Sequence, residues 1–288
     1  MKIPELFKDG KTVFSFEIFP PKKDGSIDTI YKTLEGLSNL HPDFISVTYG
    51  AGGSEANVIT SRLAGLIKSK YHTESIAHLT CVNSTKAEID FQIEKLKEQG
   101  VENVLALRGD INPDIPPKKD FAHASDLISY AKERSDLSFS GACYPEGHTE
   151  CESLEKDIEN LKIKIEAGAT HLISQLFFDN GSFYNFLDKA RAAGINVPIE
   201  AGIMPCVNAS QIQRMVGMCG ASLPPKFTKM IARYENSPEA MRSAGIAYAV
   251  DQIIDLCANG VDGIHLYTMN NPLIAQKIAE SVSSVIRL

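Results

Sequence analysis

Residues 85–110 read Thr85-Lys-Ala-Glu-Ile-Asp-Phe-Gln-Ile-Glu-Lys-Leu-Lys-Glu-Gln-Gly-Val-Glu-Asn-Val-Leu-Ala-Leu-Arg-Gly-Asp110. An amphipathic stretch over 85–99 is closed by Gly100, a short apolar run over 103–107 follows, and a polar tripeptide ends the unit. Glycine after a helix can take the left-handed conformation that turns the chain into the next strand. The same punctuation recurs at Gly168, Gly194 and Gly260. Outward from this unit, strand patterns fall at 12–18, 43–48, 75–81, 138–144, 171–177, 197–203 and 263–268. Amphipathic stretches at 27–40, 57–70, 151–167 and 182–193 lie between them. Eight strands each followed by helix predict an α/β fold, a single (β/α)8 TIM barrel, in one domain. The segment from Asn208 to Asn259 is longer than one unit needs, and Pro224-Pro225 marks an inserted helical excursion. A doubly wound sheet is the competing fold, but the only Gly-rich turn, Gly50-Ala51-Gly52-Gly53-Ser54, lacks the third glycine of a dinucleotide fingerprint.

The chain has 288 residues, enough to bury a large core. Hydrophobic residues at 43% and charged residues at 23% exclude disorder, collagen-like repeats and a coiled coil. No apolar run is long enough to span a bilayer, so no membrane association is expected. Residues 1–10 carry no secretory pattern. A net charge of −7 with scattered Lys and Arg argues against nucleic acid, so an anionic ligand needs a local cluster of donors. None of the six cysteines forms a C-x-x-C pair, so no metal is expected and the thiols read as reduced, in a cytoplasmic protein.

Alternate strand residues point to opposite faces. Phe14, Phe16 and Ile18 share one side of the first strand, and Ser15 and Glu17 share the other. The apolar parity should face the helices and the polar parity the barrel interior. On that rule Glu17, Thr48, His78, Arg108, Tyr144, Gln175 and Tyr267 gather at the carboxyl ends of the strands, where barrel enzymes place their sites. Glu17, lowered among Phe14, Phe16 and Phe19, would lose solvation, which favours the neutral acid and suits proton donation. A salt bridge to a rim cation is the plainer use. Arg108-Gly109-Asp110 offers a guanidinium fork, a close backbone approach and a carboxylate, or simply a turn with a surface ion pair. Tyr144 and His148 can stack on an aromatic ligand, or His148 can be a loop side chain. Asp157, Asn160 and Lys164 form one stripe of the fifth helix, suited to a ribose and a phosphate or to water. Gln175 suits an amide or pterin edge, with Phe177 and Phe178 after it as core or shelf. Met204-Pro205-Cys206-Val207 and Met269-Asn270-Asn271-Pro272 lack the Gly-rich phosphate turn of phosphosugar barrels.

The ordered set Ser15-Phe-Glu-Ile-Phe-Pro-Pro21, Ser46-Val-Thr-Tyr-Gly-Ala-Gly-Gly53, Ala77-His-Leu-Thr-Cys81, Ala106-Leu-Arg-Gly-Asp110, Tyr144-Pro-Glu-Gly-His148, Gln175-Leu-Phe-Phe-Asp179, Gly202-Ile-Met-Pro205 and His265-Leu-Tyr-Thr-Met-Asn270 carries a resemblance. Over nearly its whole length the chain resembles the 5,10-methylenetetrahydrofolate reductase family, in its flavin-dependent bacterial form. The resemblance implies FAD at the carboxyl end of the barrel and ping-pong transfer from NADH or NADPH to a folate. It implies Glu17 as proton donor and Asp110 as a carboxylate near flavin and pterin. FAD contacts are implied for Thr48, Tyr49, Ala51, His78, Arg108, Gly109, Asp110, Ala124, Tyr144, His148, Asp157, Asn160 and Lys164. Gln175 and Gln211 match folate contacts, and Asn271 falls where the family often has Arg. Ile163 likewise replaces a frequent Arg in the fifth-helix motif. A homo-oligomer is expected. Two alternatives stay open: a flavin-free pterin-handling barrel enzyme such as a methyltransferase, and a subunit of a larger redox complex fed by a partner protein.

Overall fold

Strand β1 (Val13–Ile18) pairs in parallel with both β2 (Phe44–Val47) and β8 (Gly263–Tyr267), and that double pairing closes the sheet into a barrel. The remaining staves are β3 (Glu74–Thr80), β4 (Asn103–Leu107), β5 (Ser138–Cys143), β6 (Ala169–Ser174) and β7 (Ile199–Ile203), in sequence order. The structure, a computed structural model, describes residues 1–21, 25–49, 54–111 and 116–287, with 54–57 described by backbone alone. The chain is a single (β/α)8 TIM-barrel fold, and a doubly wound sheet, which would have open edges, is excluded.

Helices α1 (Ile27–Ser38), α2 (Ser54–Tyr71), α3 (Lys86–Glu98), α4 (Ala124–Lys132), α5 (Leu154–Ala167) and α6 (Asn180–Ala192) alternate with the strands. After β7 come α7 (Ala209–Cys219), α8 (Pro225–Tyr234) and α9 (Pro238–Ala258), and α10 (Pro272–Ile286) follows β8. The long 208–259 segment is therefore three helices, with Pro224 capping α8 and Pro225 in its first turn. The closing glycines at 100, 168, 194 and 260 all have positive φ, which explains the shared punctuation. None of the described helices is long and apolar enough to cross a membrane.

Two apolar layers hold the barrel. Outside it, Phe16, Ile18, Ile45, Val47, Ala77 and Leu79 pack under the helices, as period-two reading expects. Inside its lower end, Val13, Phe44, Ile76, Leu105 and Ile173 meet Ile3 from a short 3-10 helix (Ile3–Phe7) that plugs the floor. The plug is locked by Ile3 N donating to Asn103 Oδ1 at 2.9 Å.

Strand β4 departs from the expected parity. Leu105 points inward to the plug, while Val104 and Ala106 belong to the helix-facing core, so Arg108 has outward and not interior parity. Both faces of this strand are apolar, so alternation held no signal. Strand β6 starts two residues earlier than predicted and ends at Ser174, with a register shift opposite Phe139 and Ser140. Phe177 and Phe178 are thus loop residues, and both are core, at 0% and 1% exposure.

Candidate active site

Glu17 is the last interior-facing residue of β1 and stands at the barrel mouth. Its backbone carbonyl accepts from Thr268 Oγ1 at 2.6 Å. The next turn is braced by Asn270, whose side chain donates to Phe19 O at 2.8 Å and accepts from Phe19 N at 3.0 Å. Glu17 Oε2 stands 3.6 Å from His78 Nε2 and 3.7 Å from His265 Nε2. Its neighbours are therefore two imidazoles and not the expected phenylalanines. Phe14 and Phe16 pack edge-to-face on the helix side of the strand.

His78 is buried and its Nε2 has no hydrogen-bond partner among the described residues. Burial outweighs the attraction of Glu17 and holds the ring's pKa down at about 4, so it is neutral at pH 7. The unfolded chain protonates this ring near 6.5, so stability is unaffected by it above that value and falls as pH drops toward 4. That proton linkage amounts to about 3 kcal/mol at the acid end. Urea unfolding of wild type and His78→Asn at pH 7 and pH 4 is expected to show their stability difference shifting by that amount in favour of the variant; a constant difference would rule out the neutral buried ring.

Beneath Glu17 lies a polar layer inside the barrel. Ser15 Oγ donates to Glu200 Oε1 at 2.8 Å and lies 2.6 Å from His265 Nδ1. Ser46 Oγ is 3.3 Å from His265 Nε2. Glu200 Oε2 is 3.0 Å from His171 Nε2 without an aligned hydrogen bond, and His171 Nδ1 is 2.9 Å from Ser140 Oγ. Ser15, Ser46, His171, Glu200 and His265 are all fully buried. Sequence reasoning missed Glu200 and this layer. The available signal was a carboxylate between Ile199 and Ala201, on the inward parity of an otherwise apolar strand.

Tyr267 crosses the mouth from β8 and donates to Ser174 O at 2.6 Å, beside Gln175. Burial pushes its hydroxyl well above its ordinary range, so it stays protonated. A Cβ on Gly202 would lie 2.3 Å from Ser174 O and 2.7 Å from the Tyr267 hydroxyl, so only glycine leaves room for this tyrosine.

The β4–β5 side gathers most of the other expected residues. Tyr144 and His148 meet edge-to-face with centroids 4.7 Å apart. Asp157 Oδ2 accepts from His148 N at 3.1 Å, and burial raises its pKa. Lys164 Nζ donates to Ala142 O at 2.6 Å, and burial lowers its pKa. The α5 stripe is therefore not simply a solvated face, although Asn160 is exposed. Arg108 pairs its two terminal nitrogens with both oxygens of Glu150, whose backbone N–H donates to His148 Nδ1. Gly109 has φ +88°, Asp110 is exposed, and Ala124 is buried at the start of α4. Thr48 N donates to Ile18 O, and Tyr49 packs partly against the core. Ala51 lies outside the described residues.

The expected folate contacts come from three segments, after β6, on α7 and at the start of α10. Gln175 Oε1 accepts from Leu176 N at 2.9 Å, folding the side chain onto its own backbone. Gln211 sits half-buried in the first turn of α7. Asn271 caps α10 by accepting from Ile274 N. Ile163 is 52% exposed on α5.

The family described as Methylenetetrahydrofolate reductase matches residues 2–283. The 5,10-methylenetetrahydrofolate reductase of Pectobacterium carotovorum subsp. carotovorum is 36% identical over 273 residues, covering 95% of this chain and 91% of its own. The enzyme of Escherichia coli (strain K12) is 35% identical with the same coverage. Methylenetetrahydrofolate reductase (NADH) 1 of Arabidopsis thaliana is 34% identical over 93% of this chain, which spans only 48% of the plant protein. Among solved structures, an uncharacterized Clostridium thermocellum protein that binds two copies of 5-methyl-5,6,7,8-tetrahydrofolic acid superposes with TM-score 0.66 at 16% identity, covering 98% of each chain. At that identity the likeness is one of fold.

Proposed function

Because this chain belongs to the methylenetetrahydrofolate reductase family, we propose that it reduces 5,10-methylenetetrahydrofolate to 5-methyltetrahydrofolate, with NADH or NADPH as donor and FAD as carrier in a ping-pong cycle. The carrying observation is Glu17, a carboxyl at the barrel mouth between two imidazoles.

The rim residues suit FAD. His78 Nε2 is a buried polar atom beside the mouth without a hydrogen-bond partner among the described residues, and Gly109 at positive φ leaves its backbone open to close approach. Arg108 and Lys164 supply cations for a diphosphate, and Asp157 and Asn160 supply groups for ribose hydroxyls. When bound, FAD would accept hydride from the dinucleotide and return it to the folate methylene carbon. Glu17 gives its proton to the amine nitrogen of the folate imidazolidine ring, which opens the ring and makes the methylene carbon electrophilic. Asp110 places a negative charge at the rim, which disfavours the reduced carrier relative to the reduced folate. Positioning of the two substrates in turn over one mouth supplies the remaining rate. One catalytic barrel domain, acting in the cytoplasm, carries both half-reactions.

The deciding experiment is anaerobic. The purified protein should be yellow, release FAD on denaturation, bleach with NADH or NADPH, and regain colour with methylenetetrahydrofolate. A colourless protein that binds folate would instead be a flavin-free pterin enzyme, and bleaching only by a copurifying protein would make it a subunit of a redox complex. Asp110→Asn is expected to slow folate-driven reoxidation about tenfold, less than the hundredfold or more lost with a water-excluded electrostatic group, because Asp110 is exposed. An unchanged single-turnover rate would remove Asp110 from the reaction.

A further inference from the structure

The buried layer beneath Glu17 contains one carboxylate for which the proposed reaction has no use. Glu200 is fully buried, 185 residues from Ser15 in sequence, and hydrogen-bonded to it. A serine hydroxyl has one proton to give. Three acceptors lie within its reach: His265 Nδ1 at 2.6 Å, Glu200 Oε1 at 2.8 Å and Ile264 O at 3.4 Å. A carboxylate can only accept, so a proton given to Nδ1 would leave the Ser15 and Glu200 oxygens 2.8 Å apart with no hydrogen between them. Given to Glu200 instead, it leaves His265 Nδ1 as the donor in the 2.6 Å contact. A ring carrying a single N–H is thereby held as the Nδ1–H tautomer, with a bare lone pair on Nε2. That lone pair faces Ser46 Oγ at 3.3 Å and Glu17 Oε2 at 3.7 Å.

We propose that Glu200 is a positioning residue: by accepting the Ser15 proton it fixes the tautomer of His265, so that the Nε2 lone pair and not an N–H faces Glu17 across 3.7 Å and favours the protonated form of the acid. This rests on the reading of Glu17 as the acid. With an Nε2–H tautomer the ring would donate toward Glu17, and the carboxyl would be held ionised, without a proton to give. His171, held by Ser140 at its Nδ1, packs its Nε2 3.0 Å from the far oxygen of Glu200. The Cβ of any residue replacing Gly263 would lie 2.7 Å from Glu200 Cγ, so the strand also leaves this carboxylate a fitted berth.

The test is ring 15N NMR on the histidine-labelled holoprotein, with the His265 signals among the seven histidines assigned by their loss in His265→Asn. Wild type is expected to carry the proton on Nδ1. Glu200→Met removes the acceptor, so Ser15 should turn to donate to Nδ1 and the proton should move to Nε2. Folate-driven reoxidation should fall roughly tenfold or more in that variant, with the loss confined to that half-reaction. Glu200→Gln, whose amide oxygen can still accept from Ser15, should keep the Nδ1–H signature. Nε2–H in wild type, or Nδ1–H surviving in Glu200→Met, overturns the proposal. Should Glu200→Met fail to fold, Ser15→Ala removes the partner of Nδ1–H directly, and an undisturbed Nδ1–H signal there overturns it equally. The spectra do not depend on whether Glu17 is the acid. Undiminished folate reduction in Glu17→Gln would remove that assignment while leaving the tautomer result standing.

Discussion

Glu17→Gln is expected to keep bleaching by NADH or NADPH within about twofold and to lose folate reduction by roughly a hundredfold to ten-thousandfold, the range over which a positioned acid contributes. The amide has nearly the shape of the carboxyl, so the braced turn through Thr268 and Asn270 has no cause to move. What disappears is the proton. Hydride delivery from the dinucleotide needs no acid at this position, whereas opening the folate ring does. Stopped-flow measurement of the two half-reactions separates these effects, and normal folate turnover in the variant would take Glu17 out of the chemistry. The neutral amide also faces two rings that Glu17 now contacts at 3.6 and 3.7 Å. Because His78 is held neutral by its own burial, its protonation near pH 7 should be little altered.

The second large effect is on stability and lies away from the chemistry. Gly245→Ala should destabilise the protein by about 3–5 kcal/mol, the upper range for overpacking. A Cβ at this position would sit 1.7 Å from the carbonyl oxygen of Cys206 and 2.5 Å from its carbonyl carbon. Both obstacles are backbone, so no rotamer change relieves them. The helix-propensity gain of alanine over glycine, about 1 kcal/mol, is too small to compensate. Helix α9 buries Ile253 and Leu256 against the main core and Met241 against the satellite core under α7 and α8. Displacing α9 therefore loosens both. Gly217→Ala is the control: the new methyl meets nothing within 4 Å and should stabilise by a few tenths to about 1 kcal/mol. Urea midpoints of the two variants test the contrast, and equal midpoints would mean that α9 does not lie against Cys206.

Several residues show how far local reading reaches. The inward turn of Ser15 and Glu17 followed from alternation, because one face of β1 is apolar and the other is not. Arg108 did not follow, because β4 is apolar on both faces and only the floor plug, anchored through Asn103, chooses between them. Its guanidinium pairs with Glu150 of the loop between β5 and α5. Asn271 entered only through the resemblance, where the family often has Arg, and its oxygen caps the first turn of α10. Strand β6 was displaced because a register shift beside Phe139 is invisible to a period-two pattern.

By itself the sequence determined the alternation of strands and helices, the glycines that end the helices, and the family, since these depend on short-range periodicity and on ordered strand-end motifs. Only the tertiary structure decided which polar groups meet. Glu200, Ser15, His171 and His265 come from four strands and share one buried layer because barrel closure pairs β8 with β1 as well as with β7. Burial makes polar groups seek partners inside the protein, so the proton arrangement there is set by neighbours up to 250 residues apart.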